Sequence, residues 1–489
     1  MAGAGGDGVM EVVCGLDVGT SGAKAFAVDP AGAVVARAEC KFARPPYEPA
    51  PGLAEQEGEE WWTAAKACLR QLCSVSKAAR ISALAADSTS GTIVPVDRLG
   101  RPLSPALMYN DGRASGLEAE VNEAAKDLCE RLGYAFPANF ALVKLLWLVR
   151  NRPEVAAAAH RFLHPADFLV GKLTGSFDCT DTSNALKSGV DLLSGTWPAF
   201  IEDRLGIPLS KLPRVFRPGE KVGEISVEAA QETGLPAGTP VVAGVSDGTA
   251  SFLASGASAV GDWNLTLGTT LAIRGVSRKL VRDPLGRIYC HRHPDGHWLP
   301  GGASNAGGEA LVKTFGQARL AGLDRAAADL LPTSLLVYPL ARRGERMPFV
   351  SSEAEGFVVG RPQSDAELYA AYLEGLALVA AWSLQEAAAL GAEVDGRFFL
   401  SGGGARGKTL GRVIATALGR PLIKAAEPEA AMGSALVAAG WAWHDGRIGS
   451  AQRIMVRQAE VFEPIQALGE ILAAKLQQLE AECRKRRYL

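Results

Sequence analysis

A single hydrophobic core rarely organises more than about 200 residues, so a chain of 489 residues is expected to form two or three domains, with a cleft between lobes. Its 51 Lys and Arg nearly balance 53 Asp and Glu, for a net charge of −2, which excludes the broad basic face that a nucleic-acid binder needs. No apolar run approaches the roughly 18 residues that a membrane-spanning helix requires, and the eight cysteines show no C-x-x-C spacing that would suggest zinc or a redox pair.

Residues 1–10 are rich in Gly and Ala but lack both an apolar signal core and the Arg/Ser richness of a transit peptide. The expected location is the cytosol, with the plastid stroma left open for a trimmed precursor. Three strands are predicted next, Val12 to Asp17, Ala23 to Asp29 and Ala33 to Cys40, followed by a helix over Glu59 to Leu72 and a strand from Ile81 to Ala86. Two strands of this first sheet end in polar, small-residue turns, Asp17-Val18-Gly19-Thr20-Ser21-Gly22 and Asp87-Ser88-Thr89-Ser90-Gly91-Thr92. A helical stretch from Gly116 to about Leu212 is expected to cap the first lobe. The strand and turn pattern then restarts, with strands Pro240 to Val245, Asn264 to Leu267, Leu271 to Val276 and Arg397 to Leu400.

The turn Thr266-Leu267-Gly268-Thr269-Thr270 resembles Leu16-Asp17-Val18-Gly19-Thr20, which points to a divergent internal duplication. The expected architecture is α/β with two lobes, residues 1–239 and 240–489, each built on a mixed sheet with helices.

Gly19-Thr20-Ser21-Gly22 offers backbone N–H groups and two hydroxyls, a concavity that suits phosphate oxygens and is equally an ordinary hairpin. Asp17 at the strand end can hold a hydrated Mg²⁺, and Lys24 adds a cation nearby. Gly268 and Thr269 supply a second set of donors. Asp247, before Gly248-Thr249-Ala250, reads either as a helix N-cap or as the carboxylate that accepts a proton from an attacking hydroxyl.

Gly402 to Thr409 matches the P-loop pattern G-x-x-x-x-G-K-[ST] between a strand and a helix. Against a P-loop NTPase stand the short remainder of the chain and the lack of a following strand ending in Asp. A glycine turn over which adenine lies is the better fit. His291, His293 and His297 at a hairpin tip read as surface histidines, Arg484 to Arg487 as a solvated tail, and Trp61 and Trp62 as core or lobe-contact residues.

In order along the chain, Gly15 to Ser21, Tyr109-Asn110-Asp111-Gly112-Arg113, Lys144-Leu145-Leu146-Trp147, Ala166 to Leu169, Gly244 to Asp247, Thr266 to Thr270, Gly344 to Pro348, Gly402 to Ala405 and Ala430 to Ala435 resemble the motifs of the FGGY carbohydrate kinases. Within that family the chain is most similar to xylulokinase-like D-ribulose kinases, through Asp87 to Thr92, Asn184 to Lys187, Ser251 to Ala257, Gly301 to Asn305 and Tyr338 to Leu340.

The resemblance implies a ribonuclease H-like, actin-like ATPase fold with a five-stranded mixed sheet in each lobe, the first binding sugar and the second nucleotide. It implies ATP-dependent phosphorylation of a ketopentose, D-ribulose first and D-xylulose second, with Mg²⁺, by a monomer or homodimer. It makes Asp247 the catalytic base and Asp17 the metal ligand, and it brings Asp17, Ser90, Asn110 and Asp247 to the sugar. Thr20, Ser21, Lys24, Gly268, Thr269, Gly302, Gly403 and Gly404 fall to the nucleotide. Gly407 departs from the Asn or Ser common in the family, Tyr109 from the Trp of many xylulokinases, and Ser88 from Gly or Gln.

Overall fold

The computed structural model describes residues 10–75 and 79–489, so residues 1–9 of the Gly- and Ala-rich start lie outside the described residues. The chain divides into two compact units. The first holds the described residues up to Arg131, Ala135–Ala254 and Glu429–Val456; the second holds Leu132–Tyr134, Ser255–Pro428 and Arg457–Leu489.

The first unit is built on strands β1 (Met10–Val18), β2 (Gly22–Val28), β3 (Val34–Lys41), β4 (Ala79–Ser88), β5 (Lys221–Glu224) and β6 (Pro240–Ser246), in the order β5-β6-β4-β1-β2-β3. β1, β2 and β3 form the expected antiparallel meander, while β4 and β6 run parallel to β1. Alternation along β1 assigns its two faces. Val12, Cys14, Leu16 and Val18 join a core with helix α1 (Gly58–Val75), where Trp61 and Trp62 are buried. Helix α2 (Pro165–Thr174) packs beside α1, with the Trp61 and Phe168 rings edge to face at 5.9 Å.

The opposite face of β1 meets a helix from far along the chain. Helix α3 (Asp247–Ser255) follows β6, and α4 (Ala430–Trp443) crosses β1 and β4. Gly15 is required there, because a Cβ on it would stand 1.9 Å from the carbonyl oxygen of Ala431.

These facts move the expected boundary at 239/240. β6 hydrogen-bonds to β4 from Val241↔Leu84 to Ser246↔Ser88, so the strand expected to open the second lobe completes the first sheet. Glu429–Val456 belongs to the first unit as well.

The second unit repeats the plan with β7 (Trp263–Leu267), β8 (Leu271–Gly275), β9 (Tyr289–Arg292), β10 (Trp298–Ser304), β11 (Phe398–Ser401), β12 (Leu422–Ala425) and β13 (Gln458–Phe462), in the order β9-β10-β8-β7-β11-β12-β13. The core β10-β8-β7-β11-β12 matches β3-β2-β1-β4-β6 in order and direction. The duplication suggested by the two Gly-Thr turns is therefore topological. The sheets have six and seven strands instead of the expected five, because antiparallel strands cover edges of the shared core: β5 in the first, β9 and β13 in the second.

The histidines of the β9–β10 hairpin correct another expectation. His291 and His293 are buried, and His297 is half-buried with its ring 6.3 Å from that of His293. All eight cysteines are free thiols, five of them buried. At the other end of the chain, Arg486 pairs with Glu482 at 2.8 Å and lies over the Phe357 ring.

Candidate active site

Strand register builds the centre of the first unit. Parallel pairing sets Asp17 of β1 beside Asp87 of β4, and Ser88 of β4 beside Ser246 of β6, one residue before Asp247. Three carboxylates thus gather at the carboxyl ends of three neighbouring parallel strands, where α/β sheets bind their ligands. Asp17 and Asp247 were expected there; Asp87 was read only as part of a turn. The signal that could have found it is the pair of equivalent positions, each an Asp closing an apolar parallel strand.

Burial pushes the Asp17 carboxyl up to about 6, the charge of Asp247 adds to the rise, and a hydrogen bond with Asp87 and the charge of Lys24 oppose it. Asp87 is fully buried, and desolvation, then the charge of Asp17, holds its carboxyl well above the usual range. Asp87 Oδ2 accepts a hydrogen bond from Ser434 Oγ on α4 at 2.5 Å. Like charges in a low-dielectric pocket ionise with difficulty, so a cation or a bound proton stabilises this cluster.

Asp247 starts α3 and is half-buried, and its Oδ1 accepts a hydrogen bond from the N–H of Gly248 at 2.6 Å. Behind it, three buried hydroxyls close a ring. Ser183 Oγ lies 2.7 Å from Ser246 Oγ and 3.0 Å from Thr249 Oγ1, which are themselves 3.1 Å apart. This ring anchors the first turn of α3 and with it the direction of the Asp247 side chain.

The β1–β2 turn is closed by a hydrogen bond from Gly19 N to Gly22 O, and Thr20 and Ser21 are exposed at its tip. Lys24, opposite Asp17 in the hairpin register, donates to Glu429 Oε2 at 2.6 Å, so its ammonium is already engaged by a carboxylate. Ser90 is buried, with its carbonyl accepting from Lys187 Nζ at 3.3 Å, whereas Asn110 is exposed. Asp111 next to it holds Arg113 and the Ala54 N–H.

In the second unit the corresponding turn exposes Gly268 and Thr269, and their carbonyls accept from Gly308 N and Glu309 N at the start of the helix Gly308–Phe315. Next to it β11 runs into Gly402, whose φ of +84° and whose approach to Leu267 O, 2.6 Å from an added Cβ, both demand glycine. Gly403 has open space where a side chain would stand. Gly302 lies in mid-strand, paired with Ile273, where a Cβ would meet Arg287 O and Met347 S at 2.5 Å; its missing side chain serves packing.

The P-loop reading of Gly402 to Thr409 does not survive the geometry. A P-loop uses its Thr hydroxyl on magnesium and turns its Lys onto phosphate. Here Thr409 Oγ1 donates to the carbonyl of Asp324 at 2.6 Å, and the Lys408 side chain is 81% exposed, 4.0 Å from Glu460. Lys408→Ala is therefore expected to leave KM for ATP and turnover within about twofold of wild type, the range for an exposed side chain without a buried partner. A loss of ATP use in a steady-state assay would restore the P-loop.

Among the described residues, no helix is long and apolar enough to cross a membrane. The chain matches the model of the FGGY carbohydrate kinase N-terminal domain over residues 12–254 and that of the C-terminal domain over residues 256–443. It is 30% identical to a xylulose kinase of Streptomyces coelicolor, over 88% of each chain, and 28% identical to a gluconokinase of Bacillus subtilis, over 74% of each. Among solved structures, a xylulose kinase from Rhodospirillum rubrum superposes with a TM-score of 0.86 at 30% identity, covering 97% of this chain and 98% of that one. The fold expected from the sequence, that of the actin-like ATPases, is thereby shown, and the chain belongs to the FGGY family of carbohydrate kinases.

Proposed function

We propose that this chain transfers the γ-phosphoryl group of ATP to a hydroxyl of a ketopentose, with D-ribulose as the first acceptor and D-ribulose 5-phosphate as the product. The observation that carries the reading is the register that sets Asp17, Asp87 and Asp247 at adjacent strand ends. D-ribulose comes first from the segments Asp87 to Thr92 and Asn184 to Lys187, which resemble those of D-ribulose kinases. D-xylulose is the second reading, favoured by relatives named as xylulose kinases at 26–30% identity.

The donor set fits Mg²⁺. Asp17 and its neighbours offer carboxylate oxygen and no nitrogen or sulfur, and among the described residues no group of three His, Cys, Asp or Glu could hold an ion by itself. Mg²⁺ commonly takes one or two carboxylates and completes its shell with water and phosphate. Asp17 would hold it, and bound there it neutralises phosphate charge. Asp247 orients the acceptor hydroxyl and takes its proton. In a loose phosphoryl-transfer transition state that task is mainly positioning, so an ordinary carboxylate suffices. The exposed Thr20 and Ser21 hydroxyls are suited to donate to phosphate, and the open space at Gly403 suits a nucleoside, while Gly404 packs against Leu267, whose Cδ2 would lie 2.3 Å from an added Cβ.

A coupled ADP-release assay with D-ribulose, D-xylulose, gluconate, glycerol and water as acceptors tests the proposal. D-ribulose is expected to give the highest kcat/KM, and water alone negligible turnover. Preference for D-xylulose would select the second reading, and ATP hydrolysis indifferent to every sugar would remove both.

A further inference from the structure

The segment Lys144-Leu145-Leu146-Trp147 has no part in the mechanism above, yet Lys144 occupies an unusual position. It lies in the first turn of the helix Ala141–Asn151, its side chain is 0% exposed, and no carboxylate pairs with its ammonium. Nζ donates instead to three backbone carbonyls, Gly91 at 2.9 Å, Met108 at 2.6 Å and Asn139 at 3.1 Å. An ammonium has three donors, and all three are used.

The acceptors belong to separate segments. Gly91 follows Ser90 in the turn after β4, Met108 immediately precedes Tyr109-Asn110, and Asn139 leads into the helix that bears Lys144. Further from the sugar contacts the same two segments are paired by Ile93 N to Leu107 O at 3.0 Å and Leu107 N to Ile93 O at 2.9 Å, Tyr109 N donates to Thr92 Oγ1 at 3.0 Å, and Lys187 reaches Ser90 O. The buried Lys144 ammonium adds a tie that reaches the backbone beside both expected sugar contacts at once, at Gly91 O next to Ser90 and at Met108 O two residues before Asn110. A core aliphatic side chain of the same length would fill the space and remove a donor from all three carbonyls, leaving Met108 O with the Asp111 N–H at 3.0 Å.

We propose that Lys144 is a positioning residue for the sugar acceptor, its ammonium holding the Ser90 turn and the Asn110 segment at one fixed separation. The inference rests on the reading of Ser90 and Asn110 as sugar contacts. Misplacing binding groups by about an ångström costs as much as 10²-fold, and here the cost falls on the sugar alone.

The surroundings of the ammonium add a pH dependence. Burial lowers the Lys144 ammonium to about 7; Asp111 opposes the shift, while Lys187 and Arg113 add to it. His164, the remaining titratable neighbour, is itself pushed down to about 3 by burial and stays neutral. The sign follows: the unfolded chain binds a proton that the folded one releases between about pH 7 and 10.5, so folding is favoured as pH rises there. The neutral amine keeps two donors, however, and turns a lone pair on the third carbonyl. Sugar binding weakens while the fold holds.

The test is steady-state kinetics of Lys144→Met and Lys144→Arg with D-ribulose and D-xylulose as the probes, with folding checked by circular dichroism and thermal unfolding. Sugar KM is expected to rise about tenfold or more in both, the displacement argument above applying to each, with KM for ATP within about twofold. Unchanged sugar KM in a folded variant, or a parallel rise in KM for ATP, overturns the proposal. Should neither variant fold, the wild type decides. Its sugar KM is expected to rise between pH 7 and 9 with KM for ATP flat, and a flat sugar KM overturns the proposal. Ser90→Ala and Asn110→Ala separate the two levels: if neither changes sugar KM, the assignment of the sugar contacts fails, whatever Lys144 does.

Discussion

Asp247→Ala is expected to lower turnover by about 10²–10⁴-fold, the usual contribution of a positioned general base, with KM for ATP changed by less than about threefold. Asp247 sits at the strand ends next to Asp17 and Asp87, and its charge raises the carboxyls of both. Its removal therefore relieves repulsion in the cluster, against the loss of one first-turn acid on α3, an effect of about 0.3–1 kcal/mol at an exposed helix end. The variant should unfold within a few degrees of wild type, so that lost turnover reports on chemistry. Single-turnover measurement with saturating ATP and sugar isolates the transfer step, and turnover within about threefold of wild type would take the base role from Asp247.

Gly433→Ala is expected to produce the largest structural effect of a single methyl group near the site. A Cβ on Gly433 would lie 1.9 Å from Ala250 O and 2.4 Å from its carbonyl carbon, so the new atom meets backbone, which cannot rotate away. Either α4 lifts from the sheet or α3 shifts, and α3 carries Asp247 at its start. Overpacking of this kind costs about 1–3 kcal/mol or more, which in a chain of this size lowers Tm by several degrees. Turnover should fall with it, because the α3 shift acts on the direction of the carboxylate. A Gly433→Ala variant with wild-type Tm and kcat would show that the two helices pack less tightly than described. The pairing of Tm with kcat matters, since loss of stability alone would leave the folded fraction fully active.

Much of the fold was legible because it is local. The β1–β2–β3 meander alternates and turns within some thirty residues, and its strands fall within a few residues of the expected spans. The two Gly-Thr turns likewise announced a repeated plan, which the matching strand orders bear out. The long-range placements were not legible. α4 is buried along its length from Ala430 to Gly440, so it has no polar stripe from which to tell which surface it covers. The lateral pairing of Asp17 with Asp87 depends on a register between strands some sixty residues apart, and no periodicity within either strand encodes it. The histidines misled for a related reason: a Pro-Asp-Gly tip looks solvent-exposed, but burial begins within two residues of it, at His293.

The route of the chain through the first unit also constrains its biosynthesis. Strands β1, β4 and β6 are complete once residue 246 has been made, but the helix that supplies Ser434 to Asp87 and backs Gly15 is translated only after the whole sheet of the second unit except β13. Until then one side of β1 and β4 faces water as an apolar surface, a situation that invites chaperone capture or aggregation during elongation. A fragment ending at residue 254, where the match to the N-terminal family model stops, would retain that exposed surface permanently.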